Sequence, residues 1–188
     1  MFIQSHLILA KTIAQGLNNS ETARLKFIPF SLGAIYPDIS PRYNGIPHTL
    51  ESSLPILNDL SRSVLRGDPS WDRQSFKLGI MCHFICDIFC QAHNFDLYQH
   101  KLRHFGYEMK MDLAILYYLR KAPFNLFIPE QHFPAPALIT ESIIEIHDLY
   151  LNLPPSITTD LEFSIICSQA LLTNMFYGTQ SQPFKQAA

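Results

Sequence analysis

The segment 81–94, MCHFICDIFCQAHN, constrains the fold of this chain most, because it is almost wholly apolar yet carries ionisable side chains. His83 and Asp87 are four residues apart, a spacing that puts both side chains on one face of a helix. Burying an ionisable group without a partner is costly, and a bound cation would offset that cost. The segment therefore predicts a buried helix on which these two side chains grip a metal ion.

Helical spacing of apolar residues dominates the remaining sequence, and the alternating runs typical of half-buried strands are hard to find. The pattern predicts an all-α fold, with about seven helices in one bundle-like domain. That domain is expected to cover residues 1–180, followed by a disordered tail at 181–188. Helices are expected at 2–16, 20–35, 48–67, 70–91, 96–119, 137–151 and 155–176. Prolines predict irregular loops at 36–47 and 122–136.

Composition excludes several classes of protein. A chain of 188 residues with 47% hydrophobic and 16% charged residues is expected to fold throughout. The net charge of −2 and the scattered Lys and Arg residues argue against binding of long nucleic acid. The first residues lack the pattern of a signal peptide, and no long uncharged apolar run predicts a membrane span. We therefore expect a cytoplasmic protein.

Three of the four cysteines, Cys82, Cys86 and Cys90, repeat at a spacing of four in the same segment. On a helix they would line one side. The sequence favours buried apolar side chains over thiolate ligands or a disulfide scaffold.

A second pair of potential ligands lies in the segment HKLRHFGYEMKMD, where His104 and Glu108 repeat the four-residue spacing. His93 follows His83 by ten residues; if the helix continues, it points about 80° away and lies roughly 15 Å further along. That offset suits a second ion, which His104 and Glu108 would complete. His100 competes with His104 for this role, and the pairing with Glu108 favours His104. Asp112 is a candidate for orienting a ligating imidazole.

Each His and acid pair also has an interpretation that involves no metal. A single His and acid at this spacing is common on solvated helix faces, but two such pairs in one chain favour metal binding. Upstream, Asp38 can equally cap a turn, and His48 can be an exposed residue at a helix start. His6 is likewise weak evidence for a metal site when it is considered alone.

In order along the chain, these residues resemble the ligand series of the zinc-dependent phospholipase C family, which is shared with single-strand-specific fungal nucleases. The resemblance extends from residue 1 to about residue 112 and rests on His6, the GAIYPD segment with Asp38, His48, His83, Asp87, His93, His104 and Glu108. It implies an all-helical fold with three clustered zinc ions. One ion would be held by Asp38, His48, His83 and Asp87. A second would be held by His93, His104 and Glu108.

The third site of the family uses His6, a shared Asp87 and the amino and carbonyl groups of the mature N-terminal residue. Secreted members expose a tryptophan there, whereas this chain begins with Met1 and Phe2. The terminal amine of Met1 is a candidate ligand, and the sequence leaves open whether two or three ions bind. The H-x-x-x-E-x-x-x-D segment formed by His104, Glu108 and Asp112 is similar to that of intracellular members.

The resemblance implies hydrolysis of a phosphodiester by a metal-activated water, with Asp38 orienting or deprotonating that water. The expected partner is a phospholipid headgroup or another small phosphate ester, with peripheral membrane contact. Two alternatives remain: a nuclease or nucleotide phosphatase of the same superfamily, and a non-catalytic protein stabilised by its metal. The apolar side chains of the loop 122–136 are expected either in the core or beside the metal cleft, as a wall for substrate or membrane.

Overall fold

Helices form the framework of the chain. The computed structural model describes residues 1–43, 45–67, 70–94, 101–121 and 139–180. Within those ranges it contains eight α-helices, one short 3-10 helix and no strand. The α-helices are α1 (Ile3–Gln15), α2 (Asn19–Arg24), α3 (Phe27–Ile39), α4 (Leu50–Leu65), α5 (Trp71–Ile88), α6 (Lys101–Lys121), α7 (Ile139–Leu151) and α8 (Ile157–Gln180). The all-α expectation is confirmed.

The expected single helix at 20–35 is wrong, because two helices occupy this region. Helix α2 begins with a capping box, in which Asn18 and Glu21 satisfy each other's backbone N–H groups. Leu25 and Lys26 then take extended backbone conformations. The backbone N–H of Lys26 donates to Ser75 Oγ of α5 at 2.9 Å. It is therefore not engaged in a helical hydrogen bond, and the helix is interrupted here. Helix α3 starts afresh at Phe27.

The expected start of a loop at residue 36 is also wrong, because α3 continues to Ile39 with Pro37 inside it. A proline removes one helical hydrogen bond, yet the last turn closes through Ser40 N–H and the Tyr36 carbonyl at 2.9 Å. Asp38 therefore lies on a helix end, where its backbone is held by regular hydrogen bonds, rather than in a loop.

Helix α5 ends at Ile88 rather than at 91, and a 3-10 helix, Gln91–His93, follows. Two carbonyls at the end of α5 are occupied by the side chain of Asn94, which donates to Ile88 O at 2.8 Å and Cys90 O at 2.9 Å. The helix does not continue to His93, so the offset calculated for a continuous helix does not apply. The chain turns back instead.

Helix α5 forms the centre of the core and is buried along nearly all of its second half. Cys82, Cys86 and Cys90 are free and buried there, and burial raises the pKa of each thiol, that of Cys86 to about 12. The interpretation of these cysteines as apolar core residues is confirmed. Among the described residues, no helix is both long and apolar enough to cross a membrane.

Helices α3 and α5 approach each other so closely that only glycine fits at the contact. A Cβ on Gly79 would lie 2.1 Å from the Phe30 carbonyl oxygen and 2.9 Å from Gly33 Cα. A Cβ on Gly33 would lie 2.1 Å from the Phe76 carbonyl oxygen. This contact fixes the spacing between Asp38 at the end of α3 and the ligand pair on α5.

We expect Gly79→Ala to push α3 away from α5 and to lower the free energy of unfolding by about 1–3 kcal/mol. It should also reduce bound zinc, because Asp38 would move relative to His83. Gly106→Ala on α6 is the control, since a Cβ there meets nothing within 4 Å, and the change should be neutral or stabilise by up to about 1 kcal/mol. Thermal unfolding and zinc content measure both effects. Equal stability and equal zinc content in Gly79→Ala and Gly106→Ala would contradict the claim that α3 and α5 lie too close for a side chain at Gly79.

Candidate metal centre

Imidazoles and carboxylates from six elements converge at one end of the helical bundle. They come from the start of α1, the end of α3, the segment before α4, the end of α5, the 3-10 helix and the start of α6. All eight side chains expected from the sequence are brought together: His6, Asp38, His48, His83, Asp87, His93, His104 and Glu108. They form three groups, and within each group the potential ligand atoms lie within 4.8 Å of one another.

The first group consists of Asp38 on α3, His83 on α5, and His48, which lies two residues before the start of α4. His83 Nε2 lies 3.6 Å from Asp38 Oδ1 and 3.2 Å from Asp87 Oδ2. His48 Nδ1 lies 2.7 Å from the same oxygen of Asp87. Two imidazoles and two carboxylates thus enclose one small volume.

The second group consists of His93, His104 and Glu108. Glu108 Oε1 lies 3.0 Å from His104 Nε2 and 3.4 Å from His93 Nε2. The break after α5 makes this possible, because it returns His93 to within 3.4 Å of Asp87 Oδ1. The second group is therefore next to the first group and not further along a continuous helix.

The third group contains His6, His83 and Asp87. His6 Nε2 lies 3.4 Å from Asp87 Oδ1, and the His6 ring stacks on that of His83 with centroids 3.9 Å apart. The terminal amine of Met1 is also buried in the cluster, 2.9 Å from Asp87 Oδ1. It lies 2.9 Å from Glu108 Oε1 as well, so the amine stands between the second and third groups.

The imidazole orientations fit a cation. His83 Nδ1 donates to the Ala34 carbonyl at 2.8 Å, and His104 Nδ1 donates to the Ala92 carbonyl at 2.6 Å. In the neutral ring, each Nε2 then points a lone pair at carboxylate oxygens, which carry only lone pairs themselves. His6 Nε2 is buried without any hydrogen-bond partner. A metal ion between these atoms satisfies all of them, and a set of nitrogen and oxygen donors suits zinc.

Burial and neighbouring charges shift the pKa values of several of these groups towards the protonation states that bind metal ions. Burial lowers the pKa of His6 to about 3 and that of His93 to about 4, so both rings are neutral near pH 7 and each offers a nitrogen lone pair. Burial alone would raise the pKa of Asp87, but the Met1 ammonium and the neighbouring imidazoles hold it well below its usual range. Asp87 is therefore an anion.

Asp112 does not orient an imidazole, contrary to expectation. Its two carboxylate oxygens accept hydrogen bonds from Gln4 Nε2 and Ser5 Oγ at the start of α1. The residue therefore holds the first turn of α1 against α6. His6 directly follows Ser5, so Asp112 affects the cluster by holding α1 in position and not by contacting an imidazole.

Asp160 on α8 is a buried carboxylate that sequence reasoning missed. Its Oδ2 accepts from the Gln91 backbone N–H at 2.9 Å and from the Tyr107 hydroxyl at 2.8 Å. Its Oδ1 accepts from the Tyr150 hydroxyl at 2.8 Å. Burial outweighs these donors and raises the pKa of Asp160 to about 6. Gln91 begins the 3-10 helix that carries His93, and Tyr107 precedes Glu108, so one carboxylate ties together both elements of the second group.

Three expectations concern residues outside the described ranges. They are the competing ligand His100, the apolar loop 122–136 and the tail 181–188.

The fold and the cluster define an all-helical protein whose histidines and carboxylates can hold several metal ions. The chain belongs to the zinc dependent phospholipase C family, whose model matches residues 5–157. Comparisons with curated proteins and with solved structures gave no significant match. The match includes every potential ligand except the Met1 amine and ends before Asp160. The description of this family is that of zinc-dependent hydrolases of the phospholipase C type.

We expect Tyr107→Phe to weaken zinc binding by the second group, because the loss of its bond to Asp160 loosens the start of α6. Tyr150→Phe is the matched control: it removes an equally short bond to the same carboxylate from α7, which supplies no ligand. Each change should lower the free energy of unfolding by about 1–3 kcal/mol. Only Tyr107→Phe should raise the zinc dissociation constant in a chelator competition. Equal loss of zinc affinity in both variants would show that Asp160 supports the fold as a whole and not the second group in particular.

Proposed function

We propose that this chain hydrolyses a phosphodiester, in the first place a phospholipid headgroup, with two or three zinc ions held by its three ligand groups. The observation that supports the proposal best is the position of Asp87. One buried carboxylate contacts His6 and His93 through Oδ1 and His48 and His83 through Oδ2. A side chain shared in this way holds neighbouring cations close enough to act on one phosphate group.

The proposed ligand sets follow the three groups. Asp38, His48, His83 and Asp87 would hold one ion, and His93, His104 and Glu108 would hold a second. His6 and Asp87 would contribute to a third, with the Met1 amine as a further candidate ligand. When bound, zinc lowers the pKa of a water molecule towards neutrality and stabilises negative charge on a phosphoryl group.

Asp38 is the proposed general base. Its carboxylate is the part of the first group that reaches solvent most, with 21% of its side chain exposed. Burial of the rest raises its pKa, which makes it a better proton acceptor than an ordinary aspartate. Asp38 Oδ1 and Oδ2 lie 3.6 Å from His83 and 4.0 Å from His6, so the carboxylate faces two ligand groups at once. From there it can orient a water molecule and take up its proton.

A water nucleophile is also supported by the state of the thiols. All four cysteines are buried, and burial raises the pKa of each of them, so none offers an accessible thiolate near pH 7. A covalent cysteine intermediate therefore has no support in the structure. Asp38 and the ligand groups carry the proposed reaction without one.

The first test is the hydrolysis of phosphate compounds by the zinc-loaded chain. We expect turnover of phosphatidylcholine and of a small soluble phosphodiester. Turnover of nucleotides or single-stranded nucleic acid alone would favour the nuclease alternative. Absence of turnover on every compound, with zinc bound, would show a non-catalytic metal-stabilised protein.

The second test compares Asp38, which is both a proposed ligand and the proposed base, with Asp87, which is a proposed ligand only. Asp38→Asn should lower kcat by on the order of 10²–10⁴, while the ligands of the second group keep their zinc. Asp87→Asn should lose both zinc and activity, because it removes a carboxylate that contacts every group. Zinc content is measured beside kcat for both variants. Native kcat in Asp38→Asn would exclude this residue as the base.

A further inference from the structure

The solvent-facing sides of α1, α3 and α6 form an unusually apolar surface, called the apolar face below. Helix α1 lies between α3 and α6 and contacts both. On α3, Ile28, Leu32 and Ile39 are exposed, with 73% of Ile28 accessible. On α1, Ile3 and Leu7 are exposed one helical turn apart. These spacings put the side chains of each helix on one side of it.

Helix α6 continues the apolar face. Phe105, Met109, Leu113 and Leu116 are all exposed, at spacings of four, four and three residues, and 72% of Leu113 is accessible. The stripe is rotated away from His104 and Glu108, whose side chains point into the Asp87 cluster. Large contiguous apolar surfaces on soluble proteins mark contact sites, so this face is expected to have a partner.

The charges around the apolar face are positive. Lys11 on α1, Lys26 before α3, and Arg103 and Lys110 on α6 are exposed. Two acidic residues of these helices, Asp38 and Glu108, face the metal cluster. The third, Asp112, lies between α1 and α6, where it accepts hydrogen bonds from Gln4 and Ser5. Helix α7 shows the opposite arrangement, with Glu141, Glu145 and Asp148 exposed. One side of the molecule is thus apolar and cationic although the whole chain carries a net charge of −2.

We infer that the apolar face docks on an anionic phospholipid bilayer. Large aliphatic and aromatic side chains with Lys and Arg beside them are the combination that binds the headgroup region of such membranes. A second copy of the chain fits less well, because a symmetric pairing of this face would oppose like charges. Docking does not depend on the proposed hydrolysis, since it is a property of a surface outside the ligand groups.

The apolar face extends to the edge of the metal cluster. Ile39 directly follows Asp38, while Leu102, with 89% of its surface accessible, and Phe105 lie on either side of His104 in the sequence. Asp38 and His104 are partly exposed cluster residues, at 21% and 22% of their side chains. A bilayer on this face therefore reaches the side of the cluster that is open to solvent.

Vesicle co-sedimentation of the zinc-loaded chain tests the inference, with phosphatidylcholine vesicles compared with mixed phosphatidylcholine and phosphatidylserine vesicles. Binding should be stronger to the mixed vesicles and should weaken as salt is added, because screening reduces the electrostatic attraction. Ile28→Gln with Leu113→Gln should weaken binding by about tenfold or more. Ile144→Gln with Leu149→Gln, two exposed positions on acidic α7, is the matched control and should bind normally.

A charge-reversal pair tests the electrostatic part separately. Lys11→Glu with Lys110→Glu should weaken binding to the mixed vesicles by about tenfold or more. Arg62→Glu with Arg66→Glu changes two exposed residues at the end of α4, away from the face. It makes the same change of net charge and should have a much smaller effect. Circular dichroism and zinc content confirm that each variant is folded and loaded.

Three results would overturn the inference. One is equal binding to neutral and anionic vesicles, and another is equal loss in the face and control variants. The third is a stable dimer that the Ile28→Gln, Leu113→Gln variant converts to a monomer, because a second copy would then be the partner. Because sedimentation scores binding and not turnover, failure of the proposed hydrolysis would leave these results unchanged.

Discussion

The arrangement of the whole cluster depends on one buried carboxylate. Asp87 is fully buried on α5, yet four imidazoles and the Met1 amine lie within about 3.5 Å of its two oxygens. A lone carboxylate would not be stable in this apolar surrounding, and removing its partners would leave an uncompensated buried charge. The elements that supply those partners must therefore meet at the end of α5.

Hydrogen bonds outside the cluster determine how its ligands point. Backbone carbonyls of Ala34 and Ala92 receive the Nδ1–H groups of His83 and His104, which turns each Nε2 towards the carboxylates. Asp112 secures the first turn of α1, and Asp160 joins the 3-10 helix to α6. The close contact of α3 with α5 adds the remaining constraint, because Gly33 and Gly79 let the two backbones touch. The potential ligands are thus set in place by groups outside the cluster.

Sequence reasoning found what local spacing can show. The pairs His83 with Asp87 and His104 with Glu108 were predictable because four residues make one turn of a helix. His6, Asp38 and His48 come from separate parts of the chain, and only the ordered resemblance to a family joined them to these pairs. The all-α class followed from periodicity, which long helices display most clearly.

The errors arose where distant residues decide the local structure. The end of α5 at Ile88 was missed because Asp160, which accepts a hydrogen bond from the Gln91 N–H, lies 69 residues away from it. The break before α3 depends on Ser75, which is 49 residues from Lys26. Asp112 has a spacing that suggests an imidazole partner, but the packing of α1 on α6 offers Gln4 and Ser5 first. No periodic pattern contains such contacts.

We propose that the groups around Asp87 hold a cluster of zinc ions. Native mass spectrometry combined with elemental analysis tests it most directly, on protein purified without chelators from zinc-sufficient cells. We expect two or three zinc ions per chain. Their removal should lower thermal stability, since metal binding to a site formed only in the folded state is linked to folding. A folded, stable chain that binds less than one zinc ion would contradict it.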